Sequence, residues 1–155
     1  MPTLSVGRAN SRGVTLIEML IVVSIIGLMV GVSFPSVNSG IDTIRLMSAS
    51  DSVVSFLNAA LNRAERRQQV MEVTISQKTN MLALRSIDAG FLRELELPTG
   101  VTITRVLPEG PDDADRHIYL YPGGTVPRIG VELTNTRGAK RVVRVDPVSG
   151  IPATE

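Results

Sequence analysis

The residues with the clearest chemical potential lie near the start of the chain, where one carboxylate opens a long apolar run. Glu18 is the only charged residue between Val14 and Phe34, and 15 of those 21 residues are Val, Ile, Leu, Met or Phe. A carboxylate in lipid costs about 2.5–3.5 kcal/mol at mid-bilayer, so such groups are rare and tend to have a partner. This position predicts a functional pairing role for Glu18. The alternative is that it lies close enough to the interface to reach water.

Other groups able to do chemistry are sparse. His117 is the only histidine and there is no cysteine, which excludes a His-based metal cluster and a Cys/His nucleophile. Asp112, Asp113 and Asp115 form an acidic cluster in a loop bounded by Pro and Gly. They are a candidate calcium loop, but they lack EF-hand spacing, and a solvated loop is favoured. We expect no catalytic residue, no bound metal and no cofactor.

Charge and aromatic content argue against a nucleic-acid partner. The chain of 155 residues has a net charge of +1, and without Arg8 and Arg12 it has 14 basic and 15 acidic side chains, hence −1. Three Phe, two Tyr and no Trp offer little surface for base stacking. Arg63, Arg66 and Arg67 could meet an acidic partner or DNA, although a solvated helix face is the default expectation.

The apolar run is long enough to be a membrane-spanning helix. At about 1.5 Å per residue, 21 residues reach roughly 31 Å, which covers the hydrocarbon core. A secretory signal peptide is disfavoured, because the run is longer than a typical signal core and is followed directly by Pro35-Ser36-Val37, with no Ala-x-Ala site. An ordinary anchor explains the length but gives no reason for Glu18. Gly27 and Gly31 have the spacing that allows close helix packing.

An amphipathic helix is expected beyond the span, from near Asp42 to about Gln69. Its predicted apolar stripe comprises Val53, Leu57, Ala60, Leu61 and Ala64. After it the hydrophobic period becomes two, with turn residues between short segments. The predicted strands are Val70–Ser76, Met81–Arg85, Phe91–Leu97, Val101–Leu107, His117–Tyr121, Arg128–Leu133 and Arg141–Val145. This order predicts an α+β fold, in which a long N-terminal helix packs on an antiparallel β domain.

The residues from Gly13 to Glu18, read Gly-Val-Thr-Leu-Ile-Glu, resemble the processing site of type IV prepilins and type II secretion pseudopilins. The resemblance implies cleavage after Gly13 by a membrane-embedded prepilin peptidase, which also methylates the new amino terminus at Val14. It implies that Glu18 pairs with the amino terminus of a neighbouring subunit and that Pro35 kinks the helix. The family usually has Phe or Met after the cut, so Val14 departs from the family pattern. The step that this departure concerns is the efficiency of methylation.

The C-terminal part narrows the resemblance. Three parts of the chain are similar to the minor pseudopilin H group and share features with minor type IV pilins of the FimT type. They are Leu61–Arg67 leading into Val70–Ser76, then Tyr119–Thr125, and finally Val142–Gly150. This similarity implies a pilin-like fold and a non-enzymatic subunit of the type II secretion pseudopilus, which supports export of folded proteins. Its implied partners are the prepilin peptidase, other major and minor pseudopilins, and the membrane.

The resemblance also implies an organisation and a location. We expect a leader over residues 1–13, a transmembrane helix over 14–34, an amphipathic half-helix over 35–69 and a periplasmic β domain over 70–155. The chain would cross the inner membrane once, with its N-terminus cytoplasmic. Two alternatives remain open at this point: a minor type IV pilin serving piliation, twitching or DNA uptake, and a membrane-tethered periplasmic enzyme or binding module.

Overall fold

The structure is a computed structural model that describes residues 13–88, 90–110 and 115–155, with side chains described outside residues 34–39. The chain divides into two compact units, one ending at Asn38 and one running from Ser39 to Glu155. The described elements are α1 Leu16–Arg67, β1 Met71–Ser76, β2 Met81–Ser86, β3 Leu92–Glu96, β4 Val101–Leu107, β5 Arg116–Leu120, β6 Gly130–Asn135, β7 Lys140–Val145 and β8 Pro152–Thr154.

The N-terminal part of α1 is apolar on every side. Leu16–Ser33 is the one segment among the described residues that is long and apolar enough to cross a membrane, judged by length and composition. None of its residues is buried within the chain. A helix that is apolar all round needs either a protein core or lipid around it. Since the described part of the chain does not cover this segment, its apolar surface is available to lipid or to another protein.

In the second unit α1 buries a single stripe. The buried residues recur at intervals of three and four, which places them on one face of the helix. They are Leu46, Ala49, Val53, Phe56, Leu57, Ala60 and Ala64. The predicted stripe is thus correct except at Leu61, which is only partly buried, while Phe56 contributes the largest side chain of the helix to the core.

The described residues form eight strands in two four-stranded antiparallel sheets. The first sheet has the order β3-β2-β1-β5 and the second the order β4-β6-β7-β8. Inward-facing residues of both sheets belong to the same hydrophobic core as the helix stripe. Burying a Val, Leu, Ile, Phe or Met side chain contributes about 1.5–3 kcal/mol, so this core is the main source of stability for the unit.

The helix ends in a Schellman motif. Gln68 adopts a left-handed conformation with φ of 50°, and the N–H of Gln69 donates to the carbonyl of Ala64 at 3.3 Å. This bond satisfies one of the carbonyls that the last helical turn leaves unpaired. It turns the chain directly into β1, which begins at Met71.

The predicted fold class is confirmed: a long N-terminal helix is followed by antiparallel sheets in an α+β order. Each of the seven predicted strands is present, with ends within two residues of those expected. The eighth strand, Pro152–Thr154, was not predicted. It forms by pairing with β7, in the register Val143 to Thr154 and Val145 to Pro152.

Candidate functional site

The candidate site is the segment from Gly13 to Glu18, where the chain enters the first turn of α1. Gly13, Val14 and Thr15 are non-helical, and α1 begins at Leu16. The Thr15 hydroxyl accepts a hydrogen bond from the Glu18 N–H at 3.3 Å. The Thr15 carbonyl accepts from the N–H groups of Glu18 at 3.1 Å and Met19 at 3.2 Å. Thr15 is therefore the N-cap residue that sets where the helix starts.

Glu18 lies in the first turn of α1, on the exposed surface. The spacing Thr15-x-x-Glu18 is that of a capping box, in which the acid occupies the third helical position. A negative charge there is stabilised by the positive end of the helix dipole. The carboxylate thus occupies a favourable position in the isolated chain, and it remains accessible to a cation on another molecule.

The peptide bond between Gly13 and Val14 lies just outside the helix and is accessible. Val14 is 67% exposed, and a Cβ added to Gly13 would meet no heavy atom within 4 Å. A peptidase must be able to reach its scissile bond, and this bond is exposed and lies outside the helix. The leader residues 1–12, including Arg8 and Arg12, lie outside the described residues.

The surface of the apolar helix is open along its length. Gly27 and Gly31 have no heavy atom within 4 Å of an added Cβ, so both are free to admit a neighbouring helix. The backbone of α1 is helical through Pro35, whose side chain lies outside those described. The packing role of the two glycines and the kink at Pro35 stay predictions.

His117 lies in a polar network on β1 and its neighbouring strands. Its Nδ1 lies 2.9 Å from Glu72 Oε1 and 3.3 Å from the Thr74 hydroxyl. The Arg85 guanidinium donates to Glu72 Oε2, from Nε at 3.0 Å and also from a terminal nitrogen, and the Tyr119 hydroxyl donates to Oε1 at 3.4 Å. The Glu72 side chain is only 5% exposed. This arrangement agrees with a structural role for His117.

The sequence alone did not identify Glu72 as a buried, paired carboxylate. An acid inside the apolar run Met71–Ile75 was a usable signal for one. The hydrogen bond from Arg85 lowers the pKa of the Glu72 carboxyl, burial works in the opposite direction, and the contact with His117 lowers it further. Both carboxylate oxygens are occupied by these partners. Glu72 is thereby held ionised and paired, as a buried carboxylate on a sheet must be, and is not available as a base.

The candidate calcium loop is only partly described. Asp112 and Asp113 lie outside the described residues, while Asp115 is exposed just before β5. Among the described residues, no group of three or more His, Cys, Asp or Glu side chains is placed to hold a metal ion. The calcium hypothesis for these three residues stays untested.

The three arginines near the end of α1 do not all follow the expectation of a solvated face. The Arg63 guanidinium carbon lies 3.4 Å from the centroid of the Phe91 ring, and its Nε is buried without a hydrogen-bond partner. Arg66 and Arg67 are exposed in the last turn, as expected. The expectation is wrong for Arg63 because β3 begins beside this part of the helix and brings an aromatic ring against it.

Comparison with known proteins gives one match. Residues 8–34 match the family model of the prokaryotic N-terminal methylation motif. No curated protein and no solved structure matches the chain. The chain therefore carries the prepilin-like signal of type IV pilin-like proteins, whose role is structural rather than catalytic, and this signal implies processing by a prepilin peptidase. The match ends at residue 34 and does not reach the sheets.

Proposed function

We propose that this chain is a prepilin-like subunit that is cut between Gly13 and Val14 and methylated on the Val14 amino group. The observation that carries the proposal is the methylation motif over residues 8–34, which includes the start of α1 at Leu16. The exposed, non-helical Gly13–Val14 bond beside that helix supports the cleavage position. The motif family supports a structural role rather than an enzymatic one.

Leu16–Ser33 then anchors the subunit as a single inner-membrane span. Its length and uncovered apolar surface support membrane anchoring. Residues 1–13 are the leader and lie on the cytoplasmic side, residues 14–34 are the spanning and assembly helix, residues 35–69 are the amphipathic half of the helix, and residues 70–155 form the periplasmic β domain.

Assembly depends on Glu18 and on the helix surface around it. Cleavage creates a positive α-amino group on Val14, and in lipid a carboxylate gains most by pairing with such a cation. Glu18 of one subunit pairs with the Val14 amino group of the next, and this contact sets the axial register. Gly27 and Gly31 allow the neighbouring helices to approach closely.

The assembly is the type II secretion pseudopilus, in which this subunit serves as a minor pseudopilin and supports export of folded proteins. The similarity of its helix end and later strands to the minor pseudopilin H group supports this assignment. The alternative is a minor type IV pilin of the FimT type, because the Gly13–Glu18 segment resembles the processing site of type IV prepilins as well as that of pseudopilins. The two assignments share every step up to assembly and differ in the filament that receives the subunit.

Deletion of the gene, followed by restoration with wild type, Glu18→Ala or Glu96→Ala, tests the proposal. Glu96→Ala is the matched control, since Glu96 is an exposed acid on β3. We expect the deletion strain to lose exoprotein secretion while its piliation and DNA uptake stay normal. Wild type and Glu96→Ala should restore secretion, and Glu18→Ala should not. Normal secretion with lost pili or uptake would instead assign the subunit to the type IV pilus.

Intact mass of the protein purified from membranes tests the processing step separately. The proposal requires a chain that begins at Val14 and is one methyl group heavier than its sequence. A chain that retains its first thirteen residues in the presence of an active prepilin peptidase would overturn the cleavage. An unmethylated chain beginning at Val14 would overturn only the methylation.

A further inference from the structure

The end of α1 carries three arginines close together, here called the arginine cluster: Arg63, Arg66 and Arg67. They lie at positions i, i+3 and i+4, which places them on one side of the helix. Within the described part of the chain none of the three is in an ion pair with a carboxylate. Together with Ala59 and Asn62 they line a shallow recess of about 430 Å³.

The acid nearest to the cluster in sequence does not neutralise it. Glu65 uses its Oε1 to accept a hydrogen bond from the Gly123 N–H at 2.9 Å, so its carboxylate is directed to the loop after β5. Like charges three and four residues apart destabilise a helix by a few tenths of a kcal/mol. The helix dipole favours basic residues in the last turn, which accounts for Arg66 and Arg67. It does not account for Arg63, one turn earlier.

Arg63 is held in place by its aromatic neighbour. Its guanidinium lies over the Phe91 ring, with the central carbon 3.4 Å from the ring centroid. Phe91 in turn is partly buried and packs against the core. A guanidinium stacked in this way loses little further freedom when its edge binds a carboxylate, since it is already oriented. The cluster therefore combines one preorganised guanidinium with two mobile ones around a recess.

We propose that the arginine cluster is a docking surface for an acidic segment of another protein, whose carboxylates enter the recess. A guanidinium binds carboxylates through two parallel hydrogen bonds, and three of them suit a short run of Asp or Glu side chains. A nucleic-acid strand suits the surface less. Phe91, the aromatic ring beside the cluster, is covered by Arg63 and cannot stack on bases. The full chain, with a net charge of only +1, also gives no strong general attraction for a polyanion.

Binding of a short fluorescein-labelled oligoglutamate peptide to the full chain in non-ionic detergent at low salt tests this surface. We expect saturable binding, weakened about tenfold by the double substitution Arg66→Gln with Arg67→Gln, which corresponds to about 1.4 kcal/mol. Phe91→Leu keeps every charge but frees Arg63, and we expect it to weaken binding several-fold. Circular dichroism of each variant confirms that the fold is retained.

The matched control is Arg128→Gln with Arg141→Gln, which removes two arginines from the second sheet and its entry loop. It should leave peptide binding within about twofold of wild type. Equal weakening by both pairs would mean non-specific attraction and would overturn the proposal, as would failure of wild type to bind the peptide. Tighter binding of a labelled oligothymidylate that displaces the peptide would also overturn it, in favour of a nucleic-acid surface. None of these outcomes depends on cleavage after Gly13, so they separate this inference from the proposed function.

Discussion

Asn80 and Ile103 are joined by a hydrogen bond that links the two sheets: the Asn80 Oδ1 accepts from the Ile103 N–H at 2.9 Å. The Asn80 Nδ2 also donates to the Val101 carbonyl at 2.7 Å. Asn80 lies in the turn between β1 and β2 of the first sheet. Its side chain thus forms hydrogen bonds with two backbone groups of β4, the edge strand of the second sheet. Asn80 itself has φ of 56°, a conformation that Asn tolerates better than most residues.

Replacement of Asn80 should destabilise the second unit. Asn80→Gly accepts the positive φ but removes both hydrogen bonds, and we expect a loss of about 1–3 kcal/mol in the free energy of unfolding. Asn80→Ala should lose more, because it adds backbone strain. Urea unfolding of the full chain in non-ionic detergent, followed by circular dichroism, measures both. The exposed neighbour Thr79→Ala is the control, and an equal effect at Thr79 would contradict the role of the Asn80 amide.

The Schellman motif at the end of α1 predicts a stabilising substitution. Gln68 adopts φ of 50°, where glycine has no steric penalty, so Gln68→Gly should stabilise the chain by up to about 1 kcal/mol. The gain is reduced by loss of the bond from Gln68 Nε2 to the Glu65 carbonyl at 2.8 Å. Gln69→Gly lacks the positive φ and should be destabilising. The same unfolding measurement compares the two, and a stabilising Gln69→Gly would contradict the explanation.

The N-cap at Thr15 predicts a local change in helix protection. Thr15→Val removes the hydroxyl that accepts from the Glu18 N–H, at a cost of about 1 kcal/mol, whereas Thr15→Ser retains it. We expect faster amide exchange at Glu18 in the Val variant, by about fivefold, with the Ser variant close to wild type. Hydrogen exchange of the full chain in detergent micelles measures the exchange rate of the Glu18 amide in each variant. Equal exchange in all three chains would show that Thr15 does not set the helix start.

Local sequence patterns predicted most of the elements because they are encoded by neighbouring residues. The turn residues Pro98-Thr99-Gly100 bound β4, and its observed range Val101–Leu107 is the predicted one. β8 has no such pattern, because Pro152–Thr154 is a strand only through its pairing with β7. The residues Pro-Ala-Thr alone do not predict a strand.

The contacts between distant residues could not be read from the sequence. Glu72 and His117 are 45 positions apart and meet only because β1 pairs with β5 in one sheet. Arg63 and Phe91 likewise meet through the placement of β3. The Gly13–Glu18 segment could be recognised in the sequence because its residues form one contiguous motif. The sequence could not supply the polar network or the orientation of Arg63, which depend on sheet order.

The Glu72 network predicts a specific loss of stability in acid. Arg85, and after it His117, lowers the pKa of the Glu72 carboxyl in the folded chain below its usual value of 4.5. A carboxyl with a depressed folded pKa contributes stability that is fully present above its unfolded pKa. That contribution is lost as the pH falls below 4.5 and through the folded pKa.

Glu72→Gln should therefore be less stable than wild type at neutral pH, by about 1–2 kcal/mol, because Gln forms a weaker bond with Arg85. The difference should shrink as the pH falls below 4.5, where wild type also loses its charge. Urea unfolding at a series of pH values measures both curves. Glu96→Gln, an exposed acid on β3, should follow wild type throughout. A difference between Glu72→Gln and wild type that stays constant from neutral to acidic pH would show that side-chain shape, and not the paired charge, stabilises this sheet.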